Sequence, residues 1–175
     1  MRRRILVTGL PGSGKTTVVR RVAEILGDRA FGFYTEEVRD ALGRRTGFQV
    51  VSLDGKRGEL ADKGTGRGPR VGSYRVNVRD FERIALPSMD VGEGGILLID
   101  EIGKMECLSE GFVRKIRLAF QAGHSLLATI PLRGGGPLIE EIRRRPDVET
   151  IPVTRGNRDA LPARLAAMLS GPSSS

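Results

Sequence analysis

Residues 5–26 constrain the fold more than any other stretch of the chain. An apolar triplet, Ile5-Leu6-Val7, runs through Thr8 into Gly9-Leu10-Pro11-Gly12-Ser13-Gly14-Lys15-Thr16; Val18, Val19, Val22, Ile25 and Leu26 then recur at helical spacing before Gly27. The triplet reads as a short buried strand and the 3.6-residue spacing as an amphipathic helix over 16–26, stopped by the glycine. Between them the eight residues fit G-x-x-x-x-G-K-S/T, in the strand-then-helix context that pattern requires. A loop of this kind aims backbone N–H groups at one point beside a helix N-terminus, where partial positive charge collects. It is built to hold phosphate. Lys15 can reach the β- and γ-phosphates and the Thr16 hydroxyl can bind Mg²⁺.

The rest of the chain repeats an α/β rhythm. Extended stretches are expected at 31–38, 76–78, 95–99, 125–130 and 149–153, and helices at 79–88, 109–122, 137–145 and from Asp159 to about Leu169. Ser109 and Asp159 are placed to cap, with Phe112, Ile116, Ala119 and Phe120 on one helix face. Between Arg39 and Tyr74 turn signals bracket β-type runs such as residues 48–53, which predicts an antiparallel hairpin or three-stranded meander set into the α/β frame. Alternating strands and helices mean a mostly parallel sheet sandwiched by helices. Residues 1–170 are expected to form one domain, with the β-rich insertion at about 39–74 and a frayed tail at 171–175.

A second acid-bearing strand completes the site. Residues 95–99 end in Asp100-Glu101, and ligands bind outside the C-terminal ends of strands in open α/β sheets. Asp100 is the natural partner of the ion held by Thr16. Glu101, one residue further on, can orient and polarise an attacking water. An acid in that second position suits P-loop proteins that activate water, and the sequence lacks an N-K-x-D guanine motif. Hydrolysis is the leading reaction.

Several further stretches, Phe33-Tyr34-Thr35-Glu36-Glu37-Val38-Arg39, Gly47-Phe48-Gln49-Val50-Val51, Ile99-Asp100-Glu101-Ile102-Gly103-Lys104-Met105-Glu106 and Asn157-Arg158, resemble the cancer-related nucleoside-triphosphatases, small P-loop NTPases. The resemblance runs from Ile5 to about Leu169. It implies the P-loop NTPase fold and Mg²⁺-dependent cleavage of ATP, GTP, CTP and UTP to the diphosphate and phosphate, with loose base selectivity and slow turnover. It also implies nucleotide binding by Gly9, Leu10, Pro11, Gly12, Ser13, Gly14, Lys15 and Thr16, and by Leu97, Leu98, Ile99, Asp100, Glu101, Ile102, Gly103 and Lys104. Glu36 or Glu37 could help hold water or Mg²⁺. Arg133, in the loop after the 125–130 strand, could swing onto the γ-phosphate and stabilise developing charge. Asn157 and Arg158 follow the last strand, where Arg158 can stack on a base.

Charge and composition bound the alternatives. Twenty-nine Lys and Arg against 21 Asp and Glu give a net charge of +8, yet aromatics make up 5% and Trp is absent, so platforms for stacking nucleic-acid bases are scarce. A nucleotide-gated nucleic-acid module, resting on Arg143-Arg144-Arg145, is one alternative. A nucleotide or small-molecule kinase, with Arg133 in a lid and Glu36 or Glu37 grasping an acceptor, is another. The single cysteine, Cys107, excludes an intrachain disulfide and reads as a partly buried thiol, and His124 has no partners at ligand spacing. Arg2-Arg3-Arg4 precedes only three apolar residues, with no signal-peptide h-region. A cytoplasmic monomer that neither enters a membrane nor engages nucleic acid is expected.

Overall fold

The computed structural model describes residues 2–171; of the expected frayed tail, 172–175 lie outside them. In chain order the described residues form β1 (Arg4–Thr8), α1 (Lys15–Leu26), β2 (Ala30–Arg39), β3 (Arg45–Ser52), β4 (Arg57–Asp62), β5 (Arg70–Val71), β6 (Tyr74–Val76), α2 (Val78–Ser88), β7 (Ile96–Ile99), α3 (Glu110–Gln121), β8 (Ser125–Thr129), α4 (Pro137–Arg143), β9 (Glu149–Pro152) and α5 (Leu161–Ser170). All nine strands join one sheet in the order β5-β6-β4-β3-β2-β7-β8-β1-β9. The half from β2 to β9 is parallel.

The expected insertion is a continuation of that sheet. β2 extends to ten residues and pairs antiparallel with β3, β3 with β4, and β4 with β6. This pairing covers the edge that β2 would otherwise leave with unpaired backbone groups.

Strand alternation divides the core into two layers. Ile96 and Leu98 of β7 join Ile5, Val7 and Leu127 beneath α1 and α5, whereas Leu97 and Ile99 join Leu6, Leu126 and Ala128 beneath α2, α3 and α4. Successive side chains point to opposite faces, so strands covered on both sides read as unbroken apolar runs. On the α2–α3 side Phe33, Phe81 and Phe112 meet edge-to-face with centroids 5.4–5.9 Å apart.

Local signals act as expected at most element ends. Ser109 Oγ accepts from the Phe112 N–H at 2.9 Å and donates to Glu82 at 2.6 Å, so one hydroxyl starts α3 and ties it to α2. Two local expectations fail. Ile25 is 56% exposed, because the packed face of α1 is set by Val18, Val19, Val22 and Leu26. Asp159 does not cap α5: a turn at 154–160 winds directly into the helix, with the Leu161 N–H donating to the Asn157 carbonyl. Asp159 is left on the surface, 3.9 Å from Arg21. Among the described residues no helix is long and apolar enough to cross a membrane.

Candidate active site

The C-terminal ends of β1, β7 and β8 open into one cleft of about 930 Å³. β8 lies between β1 and β7, with Val7 beside Thr129 and Ile99 beside Ala128. The phosphate-loop strand and the acid strand are therefore one strand apart, and the loops following all three strands border the cleft.

The loop over residues 9–16 takes the conformation its glycines permit. Gly14 has φ of 103°, in the left-handed region, and stands immediately before Lys15, the first residue of α1. A β-carbon there would also meet Arg158 Cδ at 3.3 Å. Lys15 Nζ donates to the Gly9 carbonyl at 3.1 Å and lies 3.8 Å from Glu101 Oε2. Lysine, acid and helix N-terminus thus share one end of the cleft.

Asp100 is 2% exposed. Thr129 Oγ1 donates to its Oδ1 at 2.7 Å, while its Oδ2 is buried without a partner. Burial raises its carboxyl above the ordinary range; hydrogen bonds from Thr129, Thr16 and the Thr35 backbone, with the charge of Lys15, oppose this. An isolated buried carboxylate is costly, and a hard cation would reverse that balance. Asp100 lies beside the Thr16 hydroxyl and keeps one unpartnered oxygen, a donor set that suits an ion held by one or two protein oxygens and completed by phosphate and water. Thr8 Oγ1 and Ser13 Oγ, near the same strand end, are also buried and unpartnered. Burial likewise raises Glu101, with Lys15 lowering it and Asp100 raising it further.

The remaining expected residues divide into those that face the cleft and those that do not. Gly9, Leu10, Pro11, Gly12, Lys15, Thr16, Asp100, Glu101, Lys104 and Arg133 line it. Leu97, Leu98, Ile99 and Ile102 do not: each is at most 2% exposed and packed in the core, so they support the acid strand and offer a nucleotide no surface. Asn157 is also spent. Its side chain accepts from the Thr154 N–H at 2.9 Å and donates to the Pro152 carbonyl at 2.8 Å, forming the turn before α5. Arg158 remains exposed and lines a separate pocket of about 290 Å³ with Gly14, Thr17 and Arg21.

Glu36 and Glu37 reach the cleft rim but are already paired. Burial alone would raise Glu36, yet Arg57 at 2.9 Å, Gln49 at 2.8 Å and the charge of Arg20 hold it below the ordinary carboxylate range. Hydrogen bonds from Arg45 and Arg39 do the same for Glu37. The sequence shows these acids; only the sheet shows the arginines opposite them.

The arginine cluster is largely structural. Arg143 donates to the carbonyls of Pro131 and Gly134, bracing the loop that carries Arg133. Arg145 is held by Asp147 at 2.8–2.9 Å and lies over the Phe120 ring. Cys107 is half-buried, and burial followed by the charge of Glu106 pushes its thiol up to about 12, so it is poorly nucleophilic.

Two residues escaped the sequence reading. Thr129 ends an apolar strand and carries no motif; its role depends on β8 adjoining β7. Glu106 lies within the stretch that bears the family resemblance, but only the structure buries its carboxyl at the cleft wall.

A mixed sheet whose parallel half lies between helices, a G-x-x-x-x-G-K-T loop entering α1 and an acid pair at the end of a nearby strand define a P-loop NTPase. Residues 4–166 match the profile of a family described as NTPase, and the chain belongs to this family. It is 40% identical to nucleoside-triphosphatase THEP1 of Aquifex aeolicus, over 95% of this chain and 98% of that one. It is 44% identical to the cancer-related nucleoside-triphosphatase of Homo sapiens, over 92% and 93%. The crystal structure of the Aquifex THEP1 superposes with a TM-score of 0.86 at 40% identity, covering 95% of this chain and 98% of that one. The solution structure of the human protein gives 0.82 at 41% identity, covering 99% of each.

Proposed function

We propose that this chain hydrolyses nucleoside triphosphates with Mg²⁺, cleaving the terminal phosphate with loose base selectivity and slow turnover. The observation carrying this reading is the pair of acids at the end of β7. One is buried beside Thr16 with one oxygen unpartnered; the other stands 3.8 Å from Lys15. Thr16 and Asp100 would hold the ion, which when bound would draw charge from the phosphate oxygens. The loop amides and the α1 N-terminus seat the phosphates. Glu101 orients a water in line with the γ-phosphorus. As the water oxygen bonds to phosphorus and the β–γ bridging bond breaks, the water proton passes to Glu101 and the electron pair leaves with the diphosphate. Lys15 offsets the charge that develops.

Arg158, exposed beside Gly14, can stack on any base through its guanidinium plane. Arg133 is exposed at the cleft edge, and a cation that must first be drawn onto the phosphate fits slow turnover. A kinase reading draws on the reach of the cleft to Phe48 and Leu60, but the acids expected to grasp an acceptor are paired with arginines.

Phosphate release from ATP without any acceptor tests both readings. The parent protein should release phosphate, and Glu101→Gln should keep nucleotide affinity while losing at least ~10²-fold in turnover. Release that waits for an added nucleoside or nucleotide would favour the kinase.

A further inference from the structure

Among the described residues Glu106 is the one buried acid of the cleft wall that the hydrolytic reading leaves unused. It opens a short 3₁₀ turn, Glu106–Leu108, and is 5% exposed. Burial, then the negative charge of Glu101 and more weakly that of Asp100, push its carboxyl up to about 8 against backbone hydrogen bonds at Glu106 and Gly103 that favour the ionised form, a direction that favours the protonated acid at neutral pH.

Its position relative to Glu101 is specific. The two carboxyls converge on Gly103: Glu101 Oε1 lies 2.7 Å, and Glu106 Oε2 2.8 Å, from the point where a β-carbon would stand on that residue. Any larger side chain at 103 would displace both. The other oxygen of Glu101, Oε2, faces Lys15 at 3.8 Å. Glu101 therefore turns one oxygen toward the lysine of the phosphate loop and the other toward Gly103, beside which Glu106 Oε2 also lies. Two carboxylates beside one glycine cannot both ionise cheaply, and one retained proton lowers that cost.

We propose that Glu106 is a positioning residue for the hydrolysis, its carboxyl O–H donating to Oε1 of Glu101 across the Gly103 notch. This bond fixes the Glu101 side chain and leaves Oε2 as the oxygen that accepts the proton of the attacking water. Glu106 touches neither nucleotide nor ion, and it acts only through Glu101. The inference rests on the reading of Glu101 as the residue that activates water.

Two replacements of similar volume separate this role from simple packing. Glu106→Gln keeps an N–H donor in the notch; Glu106→Leu fills the notch with no donor. Steady-state phosphate release from ATP, with Glu101→Gln measured alongside, supplies kcat and KM for each. Loss of an orienting contact should cost Glu106→Leu on the order of 10- to 100-fold in kcat with KM within about twofold, whereas Glu106→Gln stays within about fivefold of the parent in kcat. Equal losses in the two variants would overturn the inference, as would no loss in either or a loss confined to KM. If Glu101→Gln itself turns over at the parent rate, the reading of Glu101 fails and this inference falls with it. A slow Glu101→Gln beside an unimpaired Glu106→Leu refutes the role of Glu106 alone.

Discussion

Replacing Glu106 by glutamine should make the protein more stable as pH rises relative to the parent. In the unfolded chain this carboxyl titrates near 4.5; in the fold, burial and the charges of Glu101 and Asp100 move it up to about 8. A group whose folded pKa is raised contributes its full stability below the unfolded value. It loses that contribution as pH climbs through the window up to the folded value. The parent must therefore hold a proton that its unfolded chain has released, at about 1.4 kcal/mol per pH unit. Glutamine carries no proton to hold. Because the carboxyl is buried, solvent screening removes little of this effect. Between pH 5 and pH 7.5 the stability difference, variant minus parent, should widen by roughly 3 kcal/mol, a relative shift in Tm of roughly 6–12 °C for a chain this long. The raised carboxyls of Asp100 and Glu101 are present in both proteins and cancel to first order. Urea unfolding of both proteins at the two pH values, with nucleotide and divalent ions removed, measures the gap. A gap that is flat or narrows with pH would refute the reasoning and show that Glu106 ionises freely in the fold.

Two other outcomes follow from the geometry. ATP, GTP, CTP and UTP should be cleaved with kcat/KM values within about tenfold, roughly 1.4 kcal/mol of discrimination, because a stacking arginine does not read hydrogen-bonding edges; parallel assays showing a thousandfold preference would reveal a specific base pocket. Ser109→Ala should destabilise the fold by about 1–2 kcal/mol in urea unfolding, since it removes the α3 cap and the bond to Glu82 together, with nucleotide affinity unchanged.

What the sequence determined by itself was local. The strand, phosphate loop and α1 were legible because an apolar triplet, a glycine-bearing octet and a 3.6-residue apolar spacing lie within 22 consecutive positions, residues 5–26. Ser109 announced its helix because a cap bonds only three residues ahead. The acids Asp100 and Glu101 were legible as the end of an apolar run, and the meander as β-type runs between turn residues. Their partners were not. Thr129 meets Asp100 across 29 positions, and only because β8 enters the sheet between β7 and β1. Arg57 neutralises Glu36 across 21 positions because β3 and β4 fold back beside β2. Asn157 looked free for a nucleotide until the turn before α5 took both ends of its amide, and Leu97 and Leu98 looked like part of the site until two helix layers closed over them. Glu106 became a buried acid only when its 3₁₀ turn packed against α2 and α3. Spacing records what a residue can do within a few positions of chain. Strand order and layer packing decide which charges meet and which are cut off from water, and those contacts set the chemistry of the cleft.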